Sequence, residues 1–418
     1  MTTLGRRALI AGAAASAVAC KRSPRDGQGR VKLRLWFTLG GRNRDVLLEI
    51  VRRFHAVQND VRVEAVYQGD YFESLAKLRT AIAAKSAPGL SHVVAEVVPY
   101  LARANALEPL DAYEGMKEIP FVPALGQAGA FRGGTDLPLY GVPLNRSTPL
   151  MYCNGEIFAK AGLSPPKTWA EMTDAARALT KKGERWGHEV PIAWWFWVAL
   201  VGQAGGSVFD EQGRATLGGE AGVRALRLWQ DLVHREQVMR PPPGRDYDAW
   251  NVVNQDFLGG RAAFIWTSTA YIRYLEDNAK FPVVAAPLPR DVRASVPTGG
   301  TFFVVPKQAP REEKEAAARF LRFFCETEQA SYLSTRTGYL PITTTAVAKM
   351  RADGFFAKHP NDEVAQQQLP SVDPWPWEPM LFRIERDIVD PRLEEAVLLD
   401  RDASSLLTEA RAIAARPG

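Results

Sequence analysis

Cysteine is scarce in this chain: three residues in 418, at positions 20, 153 and 325. No Cys-x-x-Cys pair occurs, and the five histidines (55, 92, 188, 234 and 359) are too scattered for a short metal motif, so neither a metal nor a cofactor is expected. The Walker A loop, the glycine fingerprint of dinucleotide folds and the Gly-x-Ser-x-Gly elbow are all missing. Past the N-terminus there is no long run of lysine and arginine. The formal charge is only +5, from 52 basic and 47 acidic side chains, so the chain lacks the electrostatic footprint of a nucleic-acid binder.

What is present starts with length. A chain of 418 residues exceeds one ordinary core and predicts two domains. The composition is globular, 46% apolar and 24% charged, with eleven tryptophans and eleven tyrosines as a generous aromatic supply. At the N-terminus, Arg6-Arg7 precede an apolar, small-residue stretch from Ala8 to Ala19, too short to span a bilayer, and then Cys20. Ala17-Val18-Ala19-Cys20 resembles a bacterial lipoprotein box, in which the cysteine becomes the lipidated first residue. Residues 1–19 are thus expected to be a signal peptide, and 20–30 a flexible, lipid-anchored tether on the periplasmic or extracellular side of a membrane. Loss of the two signal arginines would leave a mature charge of +3, the +5 of the full chain less two. Cys153 in an apolar strand and Cys325 on an apolar helix face read as separate buried thiols.

Val31, Leu33, Leu35 and Phe37 alternate as a strand, and Val46, Leu47, Ile50, Val51 and Phe54 recur at helical spacing. A strand at 61–65, a helix through Leu75, Leu78 and Ile82, and a strand at 92–98 complete a βαβαβ rhythm. That rhythm predicts a mostly parallel sheet with helices on both faces. Further on, Thr168-Trp169-Ala170-Glu171 is a capping box opening a helix to Thr180. Residues 221–235, 312–332, 379–389 and 402–415 read as helices; 261–266, 281–286 and 302–305 read as strands.

Three irregular stretches interrupt this order: Pro143 to Pro149, the region of Pro287, Pro289 and Pro297, and Thr337 to Pro341. In the first, Asn145-Arg146-Ser147-Thr148 stand directly before the buried-strand run Leu150-Met151-Tyr152-Cys153. Three breaks dividing two α/β rhythms imply two lobes that exchange the chain three times. A cleft lined by the crossing segments then lies between them.

Over nearly all of residues 31–415 the chain resembles the family 1 extracellular solute-binding proteins of ABC importers. Glu108-Pro109-Leu110-Asp111, Pro166-Lys167-Thr168-Trp169, Ala204-Gly205-Gly206 and Thr337-Gly338-Tyr339-Leu340-Pro341 carry that resemblance. Within the family it is most similar to the sn-glycerol-3-phosphate-binding subunits. The residues concerned are Tyr67-Gln68-Gly69-Asp70-Tyr71, Asn145-Arg146-Ser147-Thr148-Pro149, Gly354-Phe355-Phe356-Ala357-Lys358-His359-Pro360 and Arg386-Asp387-Ile388-Val389-Asp390. The resemblance implies an α/β, two-lobe, class II periplasmic-binding-protein fold with a hinge and an interlobe cleft. It places lobe one at 31–145 plus 298–340 and lobe two at 146–297 plus 341–418. It implies a monomeric receptor, with no covalent chemistry, that captures glycerol 3-phosphate or a glycerophosphodiester and delivers it to the transmembrane subunits of an ABC permease. A sugar or oligosaccharide is the alternative ligand; an exported phosphodiesterase is a third, enzymatic, reading.

The site residues carried over from the family are Tyr71, Glu96, Ser147, Ser268, Gly300, Tyr339 and Arg386. An arginine fork matches phosphate oxygens, hydroxyls and a glycine amide add neutral donors, and a carboxylate accepts from glycerol hydroxyls. Six of them also have a plainer role open to them: Tyr71 and Tyr339 as core aromatics, Arg386 as a helix ion-pair partner, Gly300 as a turn residue, Ser147 and Ser268 as local caps. Two departures add candidates. The family's Gly-Trp-Gln-Gly-Trp stretch is replaced by Ala193-Trp194-Trp195-Phe196-Trp197, so Trp194 or Trp195 could line the cleft. Arg146 stands where the family more often has a small residue, and at the rim it would draw in an anion. The lipoprotein reading is testable directly: Cys20→Ser should leave either soluble protein or an uncleaved precursor in cell fractionation. Processed Cys20→Ser protein still in the membrane would refute it.

Overall fold

The computed structural model describes residues 25–126 and 138–416. Cys20 and the expected signal segment 1–19 lie outside the described residues. Alternation sets the first strand: Val31, Leu33, Leu35 and Phe37 of β1 (Val31–Phe37) are buried while the residues between them are partly exposed. β2 (Val61–Tyr67) and β3 (Leu90–Val94) run parallel to β1 on either side. The helix Gly41–Val57 covers one face with Val46, Leu47, Ile50, Val51 and Phe54, each such burial being worth about 1.5–3 kcal/mol. β10 (Thr301–Val304) comes back from far along the chain to pair antiparallel with β3 and with β4 (Val142–Pro143), giving the order β2-β1-β3-β10-β4.

The second sheet runs β7-β6-β8-β5-β9: β7 (Met239–Arg240), β6 (Trp186–Glu189), β8 (Ala262–Ser268), β5 (Pro149–Asn154) and β9 (Val283–Ala286). β5 is buried throughout and pairs antiparallel with β8 and β9, while β6 is parallel to β7 and β8. Each sheet is thus mixed rather than mostly parallel. Cys153 and Cys325 are both buried and unpaired, and burial pushes both thiols up. Among the described residues, no helix is long and apolar enough to cross a membrane.

Several elements differ from expectation for local reasons. β3 stops at Val94, because Pro99 sits in the first turn of the helix Val98–Arg103, and Ala95–Val97 form a tight turn that carries Glu96. The expected helix 312–332 is two, Arg311–Phe324 and Thr327–Thr337, since Glu326 leaves helical geometry at ψ 146°. In 221–235 the chain is α-helical over Gly219–Gln230 and then widens into a π turn. Trp229 is buried there, whereas Val223 and Val233 are only half-buried. At 379–389 a short helix, Leu381–Arg383, widens into a π turn over Ile384–Val389 just before Pro391, which has no amide to donate. The capping box is offset: Thr168 Oγ1 accepts from the Glu171 amide at 3.1 Å, but Glu171 accepts from the Lys167 amide at 2.7 Å.

The chain passes between the sheets at Leu144–Thr148, between β9 and β10, and near Tyr339–Leu340. These crossings are stitched together. Ser147 and Gly299 exchange backbone hydrogen bonds of 3.2 and 2.7 Å, and the Leu340 amide donates to the Arg146 carbonyl at 2.8 Å. Asn145 ties the knot: its Oδ1 accepts from the Thr301 amide at 3.0 Å and from the Thr301 hydroxyl, and its Nδ2 donates to Tyr71 at 2.9 Å. Gly300 passes this point at φ +97°, where an added Cβ would lie 1.9 Å from the Asn145 carbonyl oxygen. Gly300→Ala should therefore lower the unfolding free energy in denaturant titration by more than the about 1–3 kcal/mol of backbone strain alone. Gly162→Ala, at φ +65° with open space around it, is the control and should show strain only.

Candidate functional site

A cavity of about 530 Å³ opens between the lobes. The elements around the first sheet line it with Thr38 to Gly40, Asn43, Asp70 to Phe72, Glu96, Gly300 and Tyr339; those around the second add Ala193 to Trp195, Tyr247, Trp250, Ser268 and Tyr271, and the C-terminal segment adds Phe382, Glu385, Arg386, Asp390, Pro391 and Glu394. All seven carried-over residues, Tyr71, Glu96, Ser147, Ser268, Gly300, Tyr339 and Arg386, fall on this lining. Their local placement has clear causes. Gly69 at φ +90° turns the chain out of β2, Asp70 caps the next helix by accepting from the Phe72 and Glu73 amides at 2.8 Å, and Tyr71 follows at the first helical position. Ser268 ends β8, and its hydroxyl accepts from the Ala270 amide at 3.1 Å, so it caps a turn as well as facing the cavity.

The four polar residues of the first crossing divide their work. Asn145 joins the crossings, Thr148 accepts from Gln368 Nε2 at 3.1 Å, and Ser147 faces the cavity. Arg146 departs from expectation. It is fully buried and lies off the lining, with its guanidinium carbon over Phe302, 4.8 Å from the ring centroid. It is therefore not a rim cation.

Both Trp194 and Trp195 line the cavity, and Phe196 and Trp197 are core. Trp195 is the more exposed of the two. It donates from Nε1 to the Thr298 carbonyl at 3.1 Å and packs beside Trp250 with centroids 5.4 Å apart. Trp250 in turn stacks on Tyr271 at 6.2 Å, and Tyr247 meets Tyr71 edge-on across the cleft at 5.9 Å. Burial raises the hydroxyls of Tyr71, Tyr247, Tyr271 and Tyr339 above the usual phenol value, so all four stay protonated donors at neutral pH. Sequence reasoning missed Tyr247, Trp250 and Tyr271, although the helix Asp246–Leu258 that carries two of them opens on an aromatic-rich turn.

Charge on the lining is unequal: Asp70, Glu96, Glu385, Asp390 and Glu394 against Arg245 and Arg386. Arg245 pairs with Glu394. Arg386 pairs with Asp390 at 3.0 Å, one turn along, and lies over the Phe72 ring at 4.4 Å. It is thus both the helix ion-pair partner and a wall of the cavity. Away from the cleft, Glu276, His359 and Asp362 approach one another, but Arg273 already pairs with both carboxylates.

Further contacts surround the cleft. Phe72 meets Phe382 at 6.1 Å and Tyr140 stacks on Trp377 at 6.0 Å, with Phe382, Tyr140 and Trp377 in the cluster that packs on the first sheet, and Arg42 pairs with Asp277 at 2.7 Å. Two α/β lobes, three stitched crossings and a lined cavity between them define a protein built to hold a small ligand between its lobes. The chain belongs to the bacterial extracellular solute-binding proteins, whose family model matches residues 49–363. These bind small molecules for ABC importers and are not enzymes, so the phosphodiesterase alternative falls. The sn-glycerol-3-phosphate-binding periplasmic protein of Pectobacterium atrosepticum is 26% identical over 387 residues, covering 87% of this chain and 85% of the relative. In structure, the chain is similar to UgpB from Mycobacterium tuberculosis in complex with glycerophosphocholine: TM-score 0.82, 24% identity, 92% of this chain and 98% of that one. It is also similar to the GacH receptor of Streptomyces glaucescens, solved unliganded and with acarbose: TM-score 0.81, 20% identity, 91% and 97% covered.

Phe72 is the ring that both Arg386 and Phe382 rest on. Phe72→Ala should loosen closure and enlarge the radius of gyration of the ligand-free protein in solution scattering. An unchanged scattering curve would mean that these contacts do not hold the lobes together.

Proposed function

We propose that this receptor captures a glycerophosphodiester, with sn-glycerol 3-phosphate as the weaker, monoester ligand. It would be held to the membrane through lipidated Cys20, act as a monomer, hinge near residues 145, 298 and 340, and deliver its cargo to an ABC permease. The observation that carries the reading is Arg386: a guanidinium on the cavity wall, backed by the Phe72 ring and surrounded by a surplus of carboxylates. A phosphate competes with Asp390 for that fork. A monoester brings close to two negative charges at neutral pH, whereas a diester brings one. An acidic cleft repels the first more than the second. If the diester's alcohol is cationic, as in a choline ester, the ring faces of Trp195, Tyr247 and Trp250 and the nearby carboxylates can receive it. The names of the similar proteins support the same class.

A neutral oligosaccharide is the second reading, favoured by the Trp195–Trp250 wall, which suits sugar rings, and by the sugar-type ligands named for several structural neighbours. Calorimetric titration with glycerophosphocholine, glycerol 3-phosphate and maltotriose separates the two. Arg386→Ala should weaken glycerophosphocholine binding by about 2–5 kcal/mol, thirty-fold to several thousand-fold. Arg386→Lys should restore part of it, since a point charge lacks the fork. Wild-type affinity in a folded Arg386→Ala protein, or tight maltotriose binding lost in Trp195→Ala, would replace the phosphate reading with the sugar one.

A further inference from the structure

Asn145 is a fully buried amide whose sense can be read from its partners. The accepting and donating ends of such a side chain have nearly the same shape, so only the groups around it tell them apart. The Thr301 backbone amide, which can only donate, meets one end at 3.0 Å, and the Thr301 hydroxyl meets the same atom. That atom is therefore Oδ1, since a reversed side chain would set N–H against N–H. Nδ2 then faces the Tyr71 phenol oxygen at 2.9 Å and has only hydrogens to offer, so the phenol accepts. The O–H of a phenol lies in the ring plane. With one in-plane side of the oxygen taken by Asn145, the Tyr71 hydrogen turns to the other side. Tyr71 is itself partly exposed on the cavity lining.

We propose that Asn145 is a positioning residue that fixes the polarity of the cavity: by occupying the accepting side of the Tyr71 hydroxyl it makes Tyr71 a donor toward the cavity, matched to a ligand oxygen that carries no hydrogen. That this oxygen belongs to a phosphodiester rests on the glycerophosphodiester reading; the polarity of Tyr71 does not.

The surroundings hold the ring in place. Tyr71 opens its helix directly after the Asp70 cap, and its ring meets His92 edge-on at 5.7 Å and Tyr247 at 5.9 Å. Burial keeps the phenol protonated at neutral pH, and the Tyr339 oxygen on the same lining is a neighbouring acceptor for its hydrogen when no ligand is bound. A ligand hydroxyl can turn to give or to take a hydrogen, so it tolerates either sense of Tyr71. A phosphodiester oxygen has lone pairs only and needs a donor. A donor fixed in advance suits the second kind of oxygen without adding charge to the lining, and it loses little freedom on binding. Aspartate at 145 would keep the shape and both bonds to Thr301. It would also draw the Tyr71 hydrogen to itself, leaving the phenol lone pairs toward the cavity.

Asn145→Asp is therefore the test, read in two ways. The first is the C–O stretching band of Tyr71 in the ligand-free protein, identified by infrared difference against Tyr71→Phe. An accepted hydrogen bond lowers such a band and a donated one raises it. Asn145→Asp should raise the Tyr71 band, and an unmoved or lowered band overturns the proposal. If Asn145→Asp does not fold, the wild-type band decides: a position lowered by an accepted bond supports the proposal, and that of a phenol which donates without accepting overturns it. The second readout is glycerophosphocholine affinity by calorimetry. Asn145→Asp should weaken it about ten-fold or more, the scale of one hydrogen bond to a charged group. Most of that loss should vanish in a Tyr71→Phe background. An equal loss in both backgrounds would trace to the new charge and overturn Tyr71 as the ligand's donor. A raised band in a protein that binds no glycerophosphocholine would remove the ligand reading and leave the polarity of Tyr71 standing.

Discussion

The structure depends on one constraint: three separate pieces of chain must pass through the same narrow neck between two sheets. Each piece brings backbone donors and acceptors into a region with little water, and these must be satisfied there. Asn145 resolves most of the problem, because an amide side chain is both donor and acceptor. It binds Thr301 on the second crossing and Tyr71 on the cleft wall. Thr298 completes the arrangement, its carbonyl accepting from the indoles of Trp195 and Trp375 and its hydroxyl from Arg146. Neck and cleft are therefore one hydrogen-bonded object. A hinge rotation that moves the lobes also moves the residues that face the cargo.

That coupling explains why so many cavity residues have a structural partner already. Ser268 caps a turn, Asp70 caps a helix, Arg386 pairs with Asp390 and rests on Phe72. Preorganised groups lose less side-chain entropy when the ligand arrives. A ligand bound at these groups would compete with the internal bonds. Carboxylates outnumber guanidiniums on the lining and the guanidiniums are themselves paired, and the proposed preference for a singly charged ligand rests on that balance.

Reading residues alone goes far where physics is local. The alternation of β1, the apolar face of the helix Gly41–Val57 and the cap at Asp70 depend on neighbours within a turn or a strand. The carried-over residues were legible for a different reason: they sit in short stretches whose pattern resembles the family's, and the structure places all seven on one cavity. Tyr247 and Trp250, on the helix Asp246–Leu258, and Tyr271, in the tight turn Thr269–Tyr271, belong to no such stretch, and an isolated aromatic reads as core.

Strand character, helix faces, the positions of the chain breaks and the candidate residue types were set by the sequence itself, because each follows from propensity, periodicity or proline geometry over a few residues. Tertiary structure decided the rest. Arg146 and Ser147 are adjacent, yet one is sealed behind the wall and the other faces the cavity. No periodicity distinguishes them; the direction of each side chain is fixed by Gly299, Thr298, Phe302 and Leu340, residues more than a hundred positions away. Whether a polar side chain faces the cavity or is buried depends on what packs over it, and that is known only when the distant crossings meet.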